Sequence, residues 1–361
     1  MKSTKRVLEV NTVGFQYEGI SSVILNYIGA MNRDGLEFTF LVYADTPQKL
    51  KETLSALGAV ATVPDRKKDV KGYIAQMYHI LGEGYDVLHV HGNSGTMLIE
   101  TVLAKLRGVK KVIVHTHNTT TSYPLANAVM KYPMMFLADE QLACSRAAGE
   151  WLYGNHPYTV LNNAIDIERF RFDLQKREHY RKEFDVQKDE FLIGHIGNFN
   201  PQKNHIFLLE IFKAYLERDQ KSKLLLIGDG PDQPRVKEKA RELGIWDQVI
   251  FAGRRNDAFS IYSAMDLFLL PSRWEGLPLV TLEAQTNGLP VLVSDRVPQE
   301  AKCTNHVFFE PLTDTPQEWA SNLETICKSG IDRTADTYED IAGKGFDIFQ
   351  EAENLRNIYL S

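Results

Sequence analysis

The sequence is poor in the features that stabilise small secreted domains or anchor a chain in a bilayer. Only three cysteines occur among 361 residues, Cys144, Cys303 and Cys327, without the spacing of a metal knuckle or a disulfide framework. No stretch approaches the roughly 20 apolar residues of a transmembrane helix. The apolar run near the N-terminus is short and is interrupted by Glu9 and Asn11, unlike a secretory leader. We therefore expect a cytoplasmic location.

Two further absences narrow the function. The formal net charge is −6, from 41 basic and 47 acidic residues, so the chain lacks the positive excess of a protein that coats nucleic acid. We expect no nucleic-acid partner. The loop after the first predicted strand, residues 13–22, contains two glycines but no GxGxxG motif. A nicotinamide-dependent dehydrogenase is therefore disfavoured.

What is present is an alternation of β-branched runs and amphipathic segments, typical of parallel strands joined by helices. Strands are predicted at residues 6–13, 36–43, 86–91, 111–117, 139–144, 191–197, 223–228, 248–252, 266–270 and 290–294. A polar, strand-poor stretch near residues 162–173 separates two series. The chain is also more than twice the length of a usual domain of about 150 residues. The expected fold is α/β, with two Rossmann-like doubly wound parallel-sheet domains facing a cleft.

Two histidine pairs lie at the ends of predicted strands, His89 and His91 in LHVHGNSG, and His115 and His117 in VIVHTHN. Residues two apart on a strand point to the same face, so each pair presents two imidazoles to one side. A zinc site is one interpretation, and hydrogen-bonded structural histidines are the other, because no known ligand spacing accompanies the pairs. We expect no metal and at least one histidine facing the cleft.

The segment IGNFNPQKNH follows a predicted strand and precedes a helix from about residue 204. It contains Gly197, Asn198 and Lys203. A helix start favours anions, so its dipole does not explain a lysine there, whereas a phosphate-bearing ligand would. An ordinary surface lysine is the alternative.

The most informative segment is SRWEGLPLVTLEAQTNGLPVLVSD, in which Glu275 and Glu283 are eight positions apart. Gly276 and Pro278 stand where a helix is expected to begin, which leaves amide donors at Leu279 and its neighbours for a diphosphate. Glu283, one to two turns into that helix, is placed to bind vicinal hydroxyls such as those of a ribose. Glu275, in the preceding loop, is placed to reach a sugar.

Together these segments resemble the retaining glycosyltransferases of family four, the two-Rossmann-domain GT-B type, and especially bacterial exopolysaccharide and capsule members. The resemblance is densest over residues 265–295. It is carried further by HVHGNSG, VHTHN, ACSRAAGEWLYG, VLNNAIDIERF, IGNFNPQKNH, LLLIGDGP and AGRRND. It implies an acceptor-binding domain over residues 1–170, completed by a terminal helix at 346–361. A nucleotide-sugar-binding domain over residues 171–345 is implied between these two segments.

The resemblance also implies residue roles. Lys203 is expected to bind the donor diphosphate, Glu275 to contact the transferred sugar and Glu283 to hold the ribose. His117 is similar to the N-terminal-domain histidine that lies near the donor sugar. The implied donor-binding set also contains Gly197, Asn198, Arg254, Gly276, Leu277, Pro278 and Leu279, with Arg254 near the base and residues 277–279 supplying amides.

One departure concerns the phosphate site, where many relatives have an arginine after the glycine of the strand-end motif. This chain has Asn198 directly after Gly197, so the motif itself does not supply a second phosphate-binding cation. Arg254 and Arg273 are the candidates for that role.

The implied function is transfer of a sugar, expected from a UDP-sugar, to a saccharide or lipid-linked saccharide in exopolysaccharide or capsule biosynthesis, without metal or cofactor. Basic clusters in the first half predict a peripheral contact with the anionic inner face of the membrane. They are Arg66, Lys67, Lys68, Lys71, Lys105, Arg107, Lys110 and Lys111. The alternatives are a sugar-nucleotide epimerase or hydrolase on the same fold, or a non-catalytic partner subunit that binds a nucleotide sugar.

Overall fold

A computed structural model describes residues 4–16 and 19–361 of the chain. It divides into two compact units. Unit 1 comprises Met1–Ala164 and Gly345–Ser361, and unit 2 comprises Ile165–Lys344. The chain leaves unit 1 six residues before the domain boundary expected from the sequence, and the terminal segment packs with unit 1.

Unit 1 is built on a seven-stranded parallel sheet with the strand order β3-β2-β1-β4-β5-β6-β7. Its strands are β1 (Lys5–Asn11), β2 (Leu36–Tyr43), β3 (Ala59–Val63), β4 (Val87–Gly92), β5 (Lys111–Thr116), β6 (Glu140–Ala143) and β7 (Thr159–Val160). The sequence pattern missed β3 and β7, the two edge strands, because segments of five and two residues are too short to show a clear hydrophobic periodicity.

Helices cover both faces of this sheet, and a short 3₁₀ turn at Gly95–Met97 precedes the fourth of them. They are α1 (Gly19–Ala30), α2 (Gln48–Ser55), α3 (Val70–Leu81), α4 (Leu98–Leu106), α5 (Pro124–Leu137), α6 (Arg146–Tyr153) and the terminal helix (Ile348–Leu360). One core lies between the sheet and α3, α4 and α6. The other lies between the sheet and α1, α2 and the terminal helix. The helices are therefore arranged on two sides, as in a doubly wound fold.

The terminal helix packs on unit 1 because its apolar residues form one stripe. Ile348, Ala352, Leu355 and Tyr359 follow the spacing of one helical face, and all four are buried in the second core. Asp347 caps the first turn with its carboxylate. This packing carries the Tyr359 hydroxyl into the interior, where it meets the sheet.

Unit 2 is built on a six-stranded parallel sheet with the order β10-β9-β8-β11-β12-β13. Its strands are β8 (Phe191–Ile196), β9 (Ser222–Ile227), β10 (Val249–Gly253), β11 (Leu267–Leu270), β12 (Val291–Ser294) and β13 (Val307–Glu310). The strand order reverses between β8 and β11, the switch point at which doubly wound sheets bind ligands. The sequence pattern missed only β13, again an edge strand.

The helices of unit 2 lie on both faces of this sheet. They are α7 (Ile167–Phe170), α8 (Leu174–Glu183), α9 (His205–Leu216), α10 (Gln233–Glu242), α11 (Ala258–Ile261), α12 (Leu279–Thr286), α13 (Pro316–Cys327) and α14 (Tyr338–Ala342). Single 3₁₀ turns occur at Trp246–Gln248, Tyr262–Ala264 and Gln299–Ala301. The predicted class, α/β with two Rossmann-like parallel-sheet units, is confirmed. Within the described residues no helix combines the length and apolarity needed to cross a bilayer.

A close backbone contact joins the loops that follow β8 and β9. Gly228 has φ 140°, and a Cβ there would lie 2.0 Å from the carbonyl oxygen of Gly197. Gly230 has φ 151° and approaches Phe199 in the same way. The Phe199 amide donates to the carbonyl oxygen of Asp229 at 2.8 Å. Glycine is therefore needed at both positions, because a side chain would push the two loops apart.

We expect Gly228→Ala to lower the melting temperature of the protein more than Gly253→Ala does. Gly253 also has a positive φ, 66°, but a Cβ there meets no heavy atom within 4 Å. The control therefore costs only the backbone strain of about 1–2 kcal/mol, whereas Gly228→Ala adds a clash. Melting followed by circular dichroism measures both. Equal decreases in melting temperature would show that the loops after β8 and β9 can move apart at little cost.

Candidate functional site

Lys203 and Glu275 meet in unit 2, although 72 positions separate them in the chain. The Lys203 Nζ lies 2.7 Å from Glu275 Oε1, with side-chain exposures of 14% and 6%. Gln202 donates from Nε2 to Glu275 Oε2 at 3.1 Å and to the carbonyl oxygen of Trp274 at 3.0 Å. These bonds tie the loop after β8 to the loop after β11. Two residues singled out from separate motifs thus form one ion pair.

Gly197 makes room for this pair. A Cβ at Gly197 would lie 3.2 Å from Cδ and Cε of Lys203, a contact tighter than ordinary packing allows. An ammonium has three donors, and Glu275 accepts one of them, so Lys203 retains donors for an anion. Asn198, the next residue, is exposed and carries no charge. Lys203 is therefore the cation that the strand-end motif supplies.

Glu283 lies one turn into α12 and accepts a hydrogen bond from the Tyr262 hydroxyl at 2.6 Å, Oη to Oε2. Burial raises the pKa of Glu283, while the Tyr262 bond and the charges of Arg169 and Lys203 act in the opposite direction. Burial also raises the pKa of Tyr262 well above its usual value, so Tyr262 stays a donor. The carboxyl group is thus fixed in place by a buried phenol.

The start of α12 differs slightly from the sequence expectation. The helix begins at Leu279, with Pro278 as its N-cap residue, so Leu277 lies in the preceding loop. No side chain caps this end within the part of the chain that the structure describes. Gly276 has open space where a Cβ would stand. The first amides of α12 are therefore available donors beside the positive end of a helix dipole.

The two arginine candidates for the second cation differ in their surroundings. Arg273 donates from Nε to Asn204 Oδ1 at 3.2 Å, and its backbone amide donates to the carbonyl oxygen of Gln202 at 2.8 Å. It is thus attached to the residues on either side of Lys203. Arg254 is exposed, with its Nε 3.8 Å from Asp229 Oδ1 at the end of the neighbouring β9. The contacts of Arg273 favour it as the second cation.

Unit 1 contains a buried histidine cluster, which we define as Glu9, His89, His91, His115, His117 and Tyr359. Glu9 Oε2 lies 3.0 Å from His91 Nε2, and His91 Nδ1 lies 2.9 Å from His117 Nε2. The other oxygen, Oε1, accepts from the Tyr359 hydroxyl at 2.6 Å, and that hydroxyl lies 2.6 Å from His89 Nδ1. A continuous chain of hydrogen bonds therefore leads from the terminal helix through β1 and β4 to the end of β5.

Charge in the histidine cluster is set by burial and by its own members. Burial by itself would raise the pKa of Glu9, but His89 and His91 reverse this and hold it well below its usual range. Burial lowers the pKa of His91 to about 4 and those of His115 and His117 well below the usual value. At neutral pH the cluster therefore contains an anionic Glu9 beside neutral imidazoles at these three positions.

Ring nitrogens of His89, His91 and His115 lie within 4.8 Å of one another. Both nitrogens of His91 already make hydrogen bonds, so a metal ion would have to displace Glu9 or His117. A cavity of about 10 Å³ beside Glu9, His91 and His115 has room for one water molecule. The absence of a metal requirement stays a prediction.

Four of the eight residues in the basic clusters form ion pairs with acidic side chains, and the predicted membrane contact stays a prediction. Arg66 is mostly buried, with Nη1 2.6 Å from the fully buried Glu100 Oε1. Lys68 pairs with Asp45 and Asp65. Lys105 pairs with Asp139 and Lys110 with Asp86. A charge that is already paired contributes less to binding an anionic surface.

Sequence reasoning missed four residues that hold the candidate side chains in place: Glu9, Gln202, Tyr262 and Tyr359. Glu9 did leave a signal, because a charged residue stands between the buried apolar residues Leu8 and Val10 of β1. The other three carried none, since each acts across a distance in sequence that local patterns do not reveal.

Comparison with known proteins identifies the family. Residues 17–169 match the family described as Glycosyltransferase Family 4, and residues 176–336 match Glycosyl transferases group 1. The putative glycosyltransferase EpsF of Bacillus subtilis (strain 168) is 28% identical over 99% of this chain and 97% of its own. The protein is thus a GT-B glycosyltransferase. Within that class it is of the family-four type.

Two further relatives support the assignment. An Escherichia coli UDP-Gal:alpha-D-GlcNAc-diphosphoundecaprenol alpha-1,3-galactosyltransferase is 26% identical over 81% of this chain and 80% of its own. Anabaena Alr3699/HepE, solved in complex with UDP, superposes with a TM-score of 0.78 at 20% identity, covering 98% of this chain and 99% of that one. The latter likeness concerns the fold.

We expect Glu283→Gln to raise the melting temperature at pH 7 to 8. Burial raises the Glu283 pKa, so the native state is destabilised once the carboxyl ionises, and a neutral amide avoids this cost. The gain should shrink as the pH falls and wild-type Glu283 becomes protonated. Melting curves from pH 5 to 8 measure it. A variant less stable than wild type at pH 8 would contradict the result.

Proposed function

We propose that this enzyme transfers a hexosyl group from a UDP-sugar to a saccharide or lipid-linked saccharide, with retention, in exopolysaccharide or capsule biosynthesis. The observation that carries the proposal is the Lys203–Glu275 pair, tied through Gln202 to the loop that leads into α12. The activities and ligands of similar proteins support the substrate classes. One is a UDP-Gal-dependent transferase acting on a diphosphoundecaprenol-linked sugar, and one was solved with UDP-glucose.

In this proposal unit 2 binds the donor. The Lys203 ammonium and the first amides of α12, beginning at Leu279, bind the diphosphate, with Arg273 as the second cation. Glu283, held by Tyr262, accepts hydrogen bonds from the ribose hydroxyls. Gly197, Asn198, Gly276, Leu277 and Pro278 line the backbone side of the same site, and Arg254 lies toward the base.

The ion pair assigns a chemical role to each partner. As the sugar–phosphate bond breaks, negative charge grows on the UDP, and Lys203 stabilises it where the charge develops. Glu275, which accepts from both Lys203 and Gln202, positions the lysine and contacts the sugar hydroxyls. A carboxylate already bonded to two donors is a weak nucleophile, which disfavours a covalent glycosyl intermediate on Glu275.

Retention then follows from front-face attack. The acceptor hydroxyl attacks the anomeric carbon on the side from which UDP leaves, the carbon–phosphate oxygen bond breaks, and the departing phosphate oxygen takes the hydroxyl proton. His117, neutral at physiological pH, accepts a hydrogen bond from the substrate without becoming charged. None of these steps needs a metal ion, in keeping with the proposal that the enzyme requires none.

A transfer assay with UDP-, GDP- and ADP-sugars tests the function. We expect product only with a UDP-sugar and an added saccharide acceptor, with the donor anomeric configuration in the NMR spectrum and no loss of rate in EDTA. Glu283→Gln removes a charge-assisted hydrogen bond of about 1.5–3 kcal/mol, so donor affinity should fall about tenfold or more. The exposed Glu242→Gln on α10 is the control.

Other outcomes of this assay point to other functions. Donor consumption without acceptor indicates a hydrolase, and conversion of one UDP-sugar into another indicates an epimerase. Binding without turnover indicates a non-catalytic partner subunit. Lys203→Ala with wild-type turnover would remove the lysine from the mechanism.

We also propose a peripheral contact with the inner face of the membrane, from the cytoplasm, through helix α5. Its side chains Leu125, Val129, Tyr132 and Phe136 are 84%, 75%, 57% and 88% exposed. The spacing of four, three and four residues places them on one face of the helix. Such an apolar stripe fits the headgroup–acyl boundary, where a lipid-linked acceptor resides. Lys131 on the same helix adds a positive charge.

Liposome flotation tests this contact. We expect wild-type protein to float with vesicles containing anionic lipid and the double variant Leu125→Ser, Phe136→Ser to remain at the bottom, because two apolar anchors are lost. Leu174→Ser is the matched control, because it makes the same type of substitution at a 61% exposed leucine of unit 2. This variant should float. Flotation of the double variant would exclude α5.

A further inference from the structure

The histidine cluster contains more hydrogen bonds between its own side chains than a contact of one histidine with a sugar requires. Its hydrogen bonds link a carboxylate on β1, two histidines on β4, a histidine at the end of β5 and a tyrosine on the terminal helix. Each link is 3.0 Å or shorter. Only certain positions of the protons satisfy all of these hydrogen bonds at once.

We propose that Glu9 is a positioning residue that acts through His91 to hold His117 as its Nε2–H tautomer, leaving the Nδ1 lone pair to accept from a substrate hydroxyl. The inference deepens the proposed function and rests on the role given there to His117.

The direction of the first link follows from the carboxylate. An ionised carboxylate only accepts hydrogen bonds, so His91 must donate to Glu9 from Nε2. The low pKa of Glu9 supports the ionised form. A neutral imidazole carries a single N–H, and burial keeps His91 neutral with a pKa of about 4. Its Nδ1 is therefore an acceptor.

The second hydrogen bond, between His91 and His117, fixes the position of the proton on His117. Because His91 Nδ1 accepts, the proton of the 2.9 Å bond must lie on His117 Nε2. His117 is also neutral, so its Nδ1 has no proton. That nitrogen is buried and has no hydrogen-bond partner among the described residues. The chain thus ends in an unused acceptor.

The other oxygen of Glu9 agrees with this assignment. Oε1 accepts from the Tyr359 hydroxyl, whose oxygen is then free to accept from His89 Nδ1. Tyr359 stays protonated, since burial raises its pKa well above the usual value. Both oxygens of Glu9 therefore act as acceptors, and neither arm requires a proton on the carboxylate.

If donor and acceptor were exchanged along this chain of hydrogen bonds, His117 would be a donor to the substrate instead of an acceptor. With a neutral proton donor in place of Glu9, His91 would carry its proton on Nδ1, and His117 would expose an N–H at Nδ1. Such a group donates to a hydroxyl oxygen and cannot accept its proton. The charge on Glu9, two side chains away, therefore decides what His117 offers to a substrate.

A ring-nitrogen NMR measurement on the ¹⁵N-histidine-labelled full-length protein tests the inference without an activity assay. At pH 7 we expect the Nε2–H tautomer at His91 and His117, with the His117 signals assigned by their loss in His117→Gln. An Nδ1–H or a positively charged His117 would overturn the inference.

Two variants separate positioning from stability. Glu9→Met removes the acceptor at similar length, and we expect mixed tautomers at His117 and a kcat about tenfold lower per folded molecule, with KM for the UDP-sugar nearly unchanged. Tyr359→Phe removes a bond to the same carboxylate but leaves the His91–His117 link, so the His117 tautomer should not change. A tautomer that is the same in Glu9→Met as in wild type would overturn the inference even if melting temperatures fall.

The same samples distinguish failure of the inference from failure of the proposed function. If His117→Ala loses turnover while wild-type His117 carries its proton on Nδ1, the inference is wrong, whereas a contribution of His117 to turnover, as a donor, stands. If His117→Ala retains wild-type turnover, the proposed role of His117 is wrong, and the inference falls with it. If Glu9→Met does not fold, the wild-type tautomer measurement still decides.

Discussion

A carboxylate removed from water must be supplied with donors, and this constraint shapes both units. In unit 1, Glu9 accepts hydrogen bonds from His91 and Tyr359. In unit 2, Glu275 accepts them from Lys203 and Gln202. Each arrangement requires side chains from separate elements to converge on one point. The loops and helices that bring them together are therefore held in place by the cost of leaving a buried charge unpaired.

The same constraint links stability with activity. Glu283 is held by the Tyr262 phenol, yet its pKa is raised, so its ionised form is tolerated rather than favoured by the native protein. A ligand that brings hydroxyl donors would relieve this cost on binding. The Lys203–Glu275 pair likewise keeps a cation ordered before an anion arrives. Preorganised groups of this kind lower the cost of reorganisation during a reaction.

The sequence predicted some residues of the candidate site and not others. The difference lies in whether a residue belongs to a local motif or acts on a partner far away in the chain. Local motifs were sufficient to select Lys203, Glu275 and Glu283, because a loop after a strand and the start of a helix are short-range features. The partners Gln202 and Tyr262 were not selected, since nothing in a motif states which side chain will fill the space beside it. The burial of Arg66 beside Glu100 was also not predicted, because a local cluster of charges does not reveal burial.

The sequence by itself determined the alternation of strands and helices, and with it two parallel sheets whose loops carry the chemistry. Hydrophobic periodicity is local, so ten of the strands could be predicted, while the edge strands β3, β7 and β13 could not. Only the tertiary structure decided that Tyr359 meets Glu9, 350 positions away. That contact depends on strand order and on where the terminal helix packs, and both are set by long-range burial rather than by any local pattern.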